Sequence, residues 1–318
     1  MTWFLLTLIC ILAWGATDIL CKKSVNHDDP LAHYKTYVWT GLVMGLAGGG
    51  GLFSSTLADS IRVLPDNLYL IPLCIFYAIA LFFGLLGAKH LDASVVSPLE
   101  NIDGAMAAIM LYIFFLFTGR DNVTDSIGLM DIVGSVAIVV GVILLGIQEH
   151  RLAKQEEHLG NEKKKHRLGA LALIFPLVYN LVDAVSMVAM GITVSGETEV
   201  SIPDIDFFFF ESLGFLVVTI FVWLYMLIAK KYVYHPFRKT ELTRCGAAIC
   251  ETLGTLTFTF AVGISPILTA PITSSYCLVT IVLARILLKE RLSRMQYLSL
   301  AFVVIGIAVL GVSEVFKA

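Results

Sequence analysis

The sequence predicts an all-α membrane protein with ten transmembrane helices, arranged as two inverted five-helix repeats. Three observations lead to this fold class. The 318 residues are 58% hydrophobic and only 15% charged, with a mean hydropathy of +0.84, whereas soluble domains carry about 25% charged residues. Ten apolar runs are long enough to cross a bilayer, which takes about 20 residues. Short segments also recur in the same order in the two halves of the chain.

The apolar runs fall into two groups of five on either side of a charged segment. We expect helices over residues 2–22, 31–54, 67–88, 94–117, 129–147, 168–193, 205–229, 243–264, 267–288 and 294–315. The first run lacks the charged start and the small-residue cleavage site of a signal peptide, so we expect it to be retained. The chain thus divides into a first repeat over 1–150, a charged linker over 151–166 and a second repeat over 167–318.

The internal repeat rests on three matching pairs of segments. They are "WGATD" (14–18) with "YNLVD" (179–183), "VGVILLG" (140–146) with "IGIAVLG" (305–311), and "DASVVSPLEN" (92–101) with "SPILTAPITS" (265–274). The first two pairs share an offset of 165 residues. Because five is an odd number of helices, the second half enters the membrane in the opposite direction. Inverted repeats of this kind are typical of secondary transporters, whose substrate site lies between the repeats.

Positive charge predicts the orientation. Lys and Arg concentrate in the loops after helices one, five, seven and nine, and the ten-helix topology places these four loops on one side. Because short basic loops stay in the cytoplasm, we expect the midpoint linker inside and both termini outside. The expected location is the lipid bilayer of the plasma (inner) membrane, crossed several times.

Six acidic residues lie within the predicted helices. They are Asp18, Asp183, Glu251, Glu100, Asp103 and Glu211. A charge at bilayer depth costs about 2.5–3.5 kcal/mol, so such residues are usually functional. Asp18 and Asp183 occupy equivalent places in the two repeats, and a pseudo-two-fold axis would bring both to a central cavity. The alternative is that each pairs with a nearby lysine or forms a hydrogen bond for helix packing.

The other acids have structural alternatives of their own. Glu100 and Asp103 follow Pro98, so they either form an acidic first turn near the interface or line the cavity. Glu211 lies about two turns into its helix and either snorkels to the membrane surface or faces the cavity. Glu251 lies in the middle of its helix, where snorkelling is difficult.

Aromatic residues in the same helices are candidates for binding a cation. Trp14 and Tyr179 each lie one turn from an aspartate and on its face, and Tyr77 and Tyr276 lie within other spans. A ring face attracts an ammonium group by roughly 0.5–2 kcal/mol. The alternative is that these rings pack or face lipid. Small residues at Gly41, Gly45 and Gly49 predict a close contact between helices.

Several classes of protein are excluded by the sequence. It contains no G-x-S-x-G, H-E-x-x-H or P-loop motif, so we do not expect an enzyme. The histidines lie mostly in loops without metal-ligand spacing, so we expect neither a metal nor another cofactor. No basic stripe with interleaved aromatics indicates nucleic-acid binding. No pattern predicts a particular oligomer.

A family pattern occurs in the last quarter of the chain. Over residues 270–311, Glu-x-Leu-Ser-x-x-Gln stands between the last two helices, and a Gly-rich final helix follows. The pattern residues are Glu290, Leu292, Ser293 and Gln296. This segment resembles the closing helices of the EamA-like drug/metabolite transporters, and "AWG" (13–15) is similar to their opening helix. The resemblance implies ten helices in two halves and a transport function, although "TGRDNVTDSIGLMD" (118–131) departs from the family pattern.

These observations predict a secondary active transporter that works by alternating access and is driven by protons or by exchange. Buried acids either attract a cation or carry a proton, so we expect a small amine-bearing metabolite, such as an amino acid or organic cation, and efflux. Two other functions stay open. A flippase for a lipid-linked substrate requires a lateral opening lined by polar groups. A membrane scaffold that transports nothing predicts acids packed against partners without a central cavity.

Overall fold

The structure, a computed structural model, describes most of the predicted helices. The described residues are 2–25, 29–49, 70–103, 169–194, 204–238, 241–264, 273, 275–290 and 292–317, with isolated positions between 106 and 151. Within them there are helices and short connections but no β-strand. The predicted all-α fold class is therefore confirmed for this part of the chain. Nearly all of the charged linker over 151–166 lies outside it.

Nine α-helices occur in the described residues. They are α1 (Thr2–Ser24), α2 (Ala32–Gly49), α3 (Leu70–His90), α4 (Ala93–Glu100), α5 (Ile174–Val194), α6 (Asp204–Ile228), α7 (Leu242–Ile264), α8 (Tyr276–Leu283) and α9 (Arg294–Lys317). A 3₁₀ turn over Gly169–Leu173 leads into α5, and a π-helical turn over Ala284–Leu288 extends α8. Isolated helical positions between 130 and 151 fall in the predicted fifth helix.

Within the part of the chain that the structure describes, four stretches of helix are long and apolar enough to cross a membrane. They are Thr2–Ser24, Leu171–Val188, Ile205–Ile228 and Leu242–Ile264. The outer surface of the bundle is also apolar, since large side chains such as Leu5, Leu12, Phe221 and Ile305 are exposed. A soluble protein would rarely expose so many. The chain is therefore an integral membrane protein.

The fourth helix differs from the prediction of one continuous helix over 94–117. In the structure α4 begins at Ala93 and ends at Glu100, and a turn follows at residues 101–102. Pro98 lies inside α4 rather than at its start. Proline has no amide hydrogen and disturbs the turn before it, so Pro98 does not by itself account for a break that follows it.

Two asparagines stabilise this break. The side-chain amide of Asn101 donates to the carbonyl of Ser97 at 2.8 Å. Asn180 of α5 donates to the carbonyl of Leu99 at 2.7 Å. Backbone groups freed inside a membrane protein need such partners, because lipid offers none. The break thus faces α5, in the interior of the bundle.

Among the described residues, four segments that carry basic side chains meet at one end of the bundle. The Lys22 ammonium group donates to the carbonyls of Ala88, at 2.7 Å, and Leu91, which joins the end of α1 to the end of α3. Arg244 donates to the carbonyl of Ser24 at 3.1 Å, which brings the start of α7 to the same place. We call this region, formed by residues 22–35, 88–94, 230–244 and 289–294, the basic end.

Asp29 ties the start of α2 into the basic end. Its carboxylate accepts hydrogen bonds from the Lys35 ammonium group at 2.7 Å and the Leu31 amide at 2.9 Å, and Arg244 lies 3.9 Å away. Burial alone would raise the pKa of Asp29, but these hydrogen bonds and the two positive charges outweigh it, so the pKa lies below its ordinary value. Asp29 therefore stays ionised and holds the loop.

Taken in chain order, α1–α4 and α5–α8 meet the basic end in opposite directions. α1 ends at the basic end, whereas α5 begins there, since the rings of His90 and Phe175 stack with centroids 5.7 Å apart. Likewise, α2 begins and α6 ends there, α3 ends and α7 begins, and α4 begins and α8 ends. α1 packs along α7, α3 packs along α5, and α2 packs along α6.

Glycines allow α2 to approach α6 closely. A Cβ atom added at Gly41 would lie 1.7 Å from Thr219 Oγ1, and one at Gly48 would lie 2.4 Å from Ser212 Cβ. Gly45 also faces α6, but a Cβ at Gly49 would meet nothing within 4 Å. The predicted stripe is therefore right for Gly41 and Gly45 and wrong for Gly49. At 3.6 residues per turn, Gly48, seven positions after Gly41, lies closer to the face of Gly41 than Gly49, eight positions after it.

We expect Gly41→Ala to destabilise the protein. The added methyl group would overlap Thr219 and lie 2.9 Å from the carbonyl oxygen of Phe215, and overpacking of this kind costs about 1–3 kcal/mol. Thermal unfolding in detergent measures the effect. The matched control is Gly49→Ala, for which alanine's helix propensity predicts a gain of up to about 1 kcal/mol. Equal unfolding midpoints for the two variants would contradict the α2–α6 contact.

Candidate functional site

A cavity with about 1070 Å³ of empty space, including its open mouth, lies between α1, α3, α4, α5, α6, α7 and α8. All ten predicted site residues line it. They are Asp18, Asp183, Glu251, Trp14, Tyr179, Glu100, Asp103, Glu211, Tyr77 and Tyr276. The described lining contains six carboxyl side chains but no lysine, arginine or histidine. The structure therefore brings together residues that are up to 262 positions apart in the chain.

Asp18 is held by a hydroxyl group from the other half of the chain. The Thr280 hydroxyl of α8 donates a hydrogen bond to Asp18 Oδ2 at 2.7 Å. Ser97 of α4 lines the cavity as well. Asp18 thus lies where α1 meets α8, and the Ser97 hydroxyl of α4 is its second hydrogen-bond partner.

Asp183 meets a second carboxyl group. Its side chain is buried and lies in hydrogen-bond contact with the carboxyl of Asp103, just beyond the break after α4. Two ionised carboxylates in contact repel each other strongly at low dielectric. The pair is therefore suited to hold one proton or to share a cation.

Glu251 is oriented by two hydroxyl groups. The Tyr77 hydroxyl donates to Glu251 Oε1, and the Thr255 hydroxyl, which donates to the Glu251 backbone carbonyl at 3.0 Å, lies 3.4 Å from the same carboxylate oxygen. The ring of Tyr77 packs edge-on against Phe215, with centroids 5.3 Å apart. Tyr77 was predicted to offer its ring to a cation, but in the structure its hydroxyl group positions a carboxylate.

Glu100 does not belong to an acidic first turn. It is the last residue of α4, is only 7% exposed and lines the cavity. Its Oε1 atom is buried and has no hydrogen-bond partner among the described residues. Of the two alternatives for Glu100, the structure favours the cavity-lining one, because Glu100 ends α4 instead of standing in its first turn.

Glu211 lies in the wall of the cavity at a greater distance from the basic end. Its side chain is 5% exposed and follows the start of α6 by seven residues. A snorkelling side chain would extend to the membrane surface, whereas this one is enclosed by the bundle. The structure thus favours the cavity-lining alternative for Glu211.

Trp14 and Tyr179 both pack against glycines. A Cβ atom at Gly254 of α7 would lie 2.4 Å from Trp14 Cδ1, and one at Gly84 of α3 would lie 3.2 Å from Tyr179 Cδ2. The Trp14 ring also packs against Tyr276, with centroids 5.6 Å apart. Each aromatic residue that lies one turn from an aspartate therefore packs against a glycine from the opposite half of the chain.

Glu290 has a structural role that the sequence analysis missed. Its carboxylate accepts hydrogen bonds from the amides of Ala93 at 3.0 Å and Ser94 at 3.1 Å, and from the Ser94 hydroxyl at 2.6 Å. A carboxylate stabilises a helix N-terminus in this way. Glu290 thus holds the start of α4 at the basic end, where Ala93 lines the cavity. The sequence pattern that contains Glu290 marked the residue but not its partner.

Thr280 and Asn180 were also missed. A threonine within an apolar run is easily read as helix surface, and Asn180 differs little in the sequence from a packing residue. One signal for Asn180 was its spacing of four from Pro176, whose carbonyl accepts a hydrogen bond from Asn180 at 2.8 Å. Among the described residues, no group of three or more His, Cys, Asp or Glu is placed to hold a metal ion.

Fold and site together define a class: an integral membrane protein whose helices enclose an acidic, aromatic cavity. No protein-family model and no curated protein matches this chain. The resemblance to EamA-like transporters stays a prediction from the sequence.

Proposed function

We propose that the protein is a secondary active transporter of a small amine-bearing metabolite, of the EamA-like drug/metabolite type. It has ten transmembrane helices in two inverted repeats, lies in the plasma membrane with its basic end in the cytoplasm, and exports its substrate by proton-driven transport or exchange. The observation that carries this proposal is the cavity with six carboxyl groups and no basic residue in its described lining.

The charge of the cavity favours a cationic group on the substrate. Attraction between opposite charges is several-fold stronger in a protein interior than in water. The carboxylates of Asp18 and Glu251 are already oriented by hydroxyl groups, so their geometry is fixed before a ligand arrives. The neighbouring ring of Trp14 adds a cation–π surface.

The arrangement of the helices supports inverted repeats. Helices that correspond in sequence run in opposite directions, and each half supplies a partner for the other half's acid. Asp18 of the first half meets Thr280 of the second, while Asp183 of the second half meets Asp103 of the first. A site divided between two repeats can open to either side when one repeat rocks against the other.

Proton coupling follows from the carboxyl pair. Asp103 and Asp183 hold a proton between them or release it to accept a cation, so protons and substrate compete for one position. Such competition is sufficient for antiport, because the carrier crosses the membrane in one direction with substrate bound and in the other direction with a proton bound. The scaffold alternative is less well supported, since it predicts packed acids and no cavity. The flippase alternative requires polar groups facing lipid, yet the exposed side chains described on α1 and α6 are largely apolar.

Uptake by proteoliposomes tests the proposal. The panel contains primary amines, amino acids and organic cations, each with and without an acidic lumen. We expect amines to accumulate when protons can leave the vesicle, and Asp18→Asn to reduce this gradient-driven uptake by about tenfold, the value of one charged hydrogen bond. Asparagine still accepts the hydrogen bond from Thr280, so folding is preserved.

Glu241→Gln is the control for this experiment, because Glu241 is a buried acid outside the cavity that bonds Tyr234 and Arg244. Unchanged transport and pH dependence in Asp18→Asn would rule out coupling through Asp18. If no amine is transported under any gradient, the proposed function is wrong.

A further inference from the structure

The carboxyl groups of the cavity are spread along the axis of the bundle. Asp18 lies six residues before Ser24, the end of α1 at the basic end, which is roughly 9 Å at 1.5 Å per residue. Glu211 lies 17 residues before Ile228, the end of α6 at the basic end, which is roughly 26 Å. Both residues line the same cavity, so its acids extend over roughly 17 Å of depth, counted from these two helix ends.

Further carboxyl groups lie between these two levels. Glu100 follows the start of α4 by seven residues, roughly 10 Å from the basic end, and Glu251 follows the start of α7 by nine residues, roughly 14 Å from it. The lining between the acids is largely apolar or aromatic. Its residues include Leu81, Leu85, Met187, Met190 and Phe258. Asp18, Glu100 and Glu251 thus lie nearer the basic end than Glu211, and apolar side chains line the same cavity.

The end of the cavity near Asp18 also contains an unsatisfied acceptor. Glu100 Oε1 is buried without a hydrogen-bond partner among the described residues, and the Glu100 side chain is more than nine-tenths buried. A buried polar atom without a partner destabilises the protein. A ligand with several N–H groups would satisfy this atom and also reach Asp18, since an ammonium group has three N–H donors.

We infer that the cavity binds a linear aliphatic polyamine, with one ammonium group near Asp18 and Glu100 and another towards Glu211. This inference rests on the proposed function and specifies its substrate class. A monoamine would meet the acids at only one depth. A polyamine meets them at several depths, and its methylene segments contact the apolar lining between the acids. Its extended shape matches a cavity that is longer than a single cationic group.

Ligands of matched length separate this inference from general amine binding. Spermidine, 1,4-diaminobutane and 4-amino-1-butanol are compared by calorimetry on the full chain in nanodiscs and by uptake into proteoliposomes. The amino alcohol has nearly the length of the diamine but only one ammonium group. We expect affinity to rise in the order amino alcohol, diamine, spermidine, by about tenfold for each added charge.

Glu211→Gln tests the position of the second ammonium group. We expect this variant to lower spermidine affinity by about tenfold and to reduce the preference for spermidine over the amino alcohol. Glu211→Asp, which keeps the charge, should restore much of that preference. Glu241→Gln, outside the cavity, should keep the wild-type order. Size-exclusion profiles and unfolding midpoints show whether each variant is folded.

The possible outcomes separate the inference from the proposed function. Equal affinity for the diamine and the amino alcohol, with uptake of both, would overturn the polyamine inference and leave amine transport standing. The same holds if Glu211→Gln weakens all three ligands equally. Absence of uptake for every amine would overturn the proposed function itself. A polyamine preference that depends on Glu211 supports both.

Discussion

We expect Glu251→Gln to lower amine uptake in proteoliposomes by about 10- to 100-fold, because a hydrogen bond to a charged group is worth roughly 1.5–3 kcal/mol. Glutamine has almost the shape of glutamate, and its carbonyl oxygen still accepts the hydrogen bond from Tyr77. The substitution therefore removes the negative charge and leaves the packing intact. Initial rates at saturating and limiting amine concentrations measure whether affinity or turnover is lost.

Glu241→Gln is the matched control for this result. Glu241 is also a buried acid of the α7 region, 8% exposed, but it contacts Tyr234 and Arg244 at the basic end. We expect a lower unfolding midpoint for this variant but nearly wild-type uptake per folded molecule. If both variants reduce uptake equally, the loss reflects damage to the fold, and the role given to Glu251 in the cavity is refuted.

Tyr77→Phe separates orientation from charge at the same position. The change removes the hydroxyl donor to Glu251 but keeps the ring that packs against Phe215. A smaller loss of uptake than in Glu251→Gln is therefore expected. This order would assign Tyr77 a positioning role rather than direct contact with the substrate.

The acids of the cavity could be predicted from the sequence because acidic residues are rare within apolar membrane-spanning segments. A carboxyl group within an apolar run has few explanations, since hydrocarbon excludes charge. The match between Asp18 and Asp183 added a geometric reason for them to meet. The buried acids were predicted from the local sequence, and the match between the two aspartates from the symmetry of the repeat. Knowledge of long-range contacts was not needed for these predictions.

The hydrogen-bond partners of the acids could not be predicted, because these residue types are common in membrane helices and their positions in the sequence do not distinguish them. Thr280 lies 262 positions from Asp18, and a threonine in a membrane helix is common. The break after α4 depends on Asn180, a residue 81 positions from the carbonyl that it satisfies. One alternative in the sequence analysis placed Glu100 in a first helical turn after Pro98, whereas α4 ends at Glu100. This helix end depends on contacts that the sequence does not show.

The glycines at the aromatic residues were missed for a different reason. Trp14 and Tyr179 are separated by 165 residues, but Gly84 and Gly254, which contact them, are separated by 170. Loops of different length in the two halves shift the alignment between successive helices. A search at a constant offset therefore finds the aspartates and their aromatic neighbours but loses the glycines on the facing helices.

Gly254→Ala is expected to have the second large effect, through the position of Trp14. The added Cβ atom would lie 2.4 Å from Trp14 Cδ1 and 2.5 Å from Nε1. The indole ring has little freedom to move away, since Phe258 and Tyr276 pack against it with centroids 5.1 and 5.6 Å distant. Either the ring enters the cavity or α1 separates from α7, and both outcomes disturb the site beside Asp18.

We therefore expect Gly254→Ala to reduce the free energy of unfolding by about 1–3 kcal/mol, despite the gain of about 1 kcal/mol in helix propensity, and to reduce amine uptake at least tenfold. Gly246→Ala on the same helix is the control, because its nearest contact would be Leu20 Cδ1 at an ordinary 3.6 Å. Trp14→Leu in the Gly254→Ala background should recover stability but not uptake, since the overlap is relieved while the ring is lost. Full activity in Gly254→Ala would show that the Trp14 ring does not need this glycine to hold its place in the cavity.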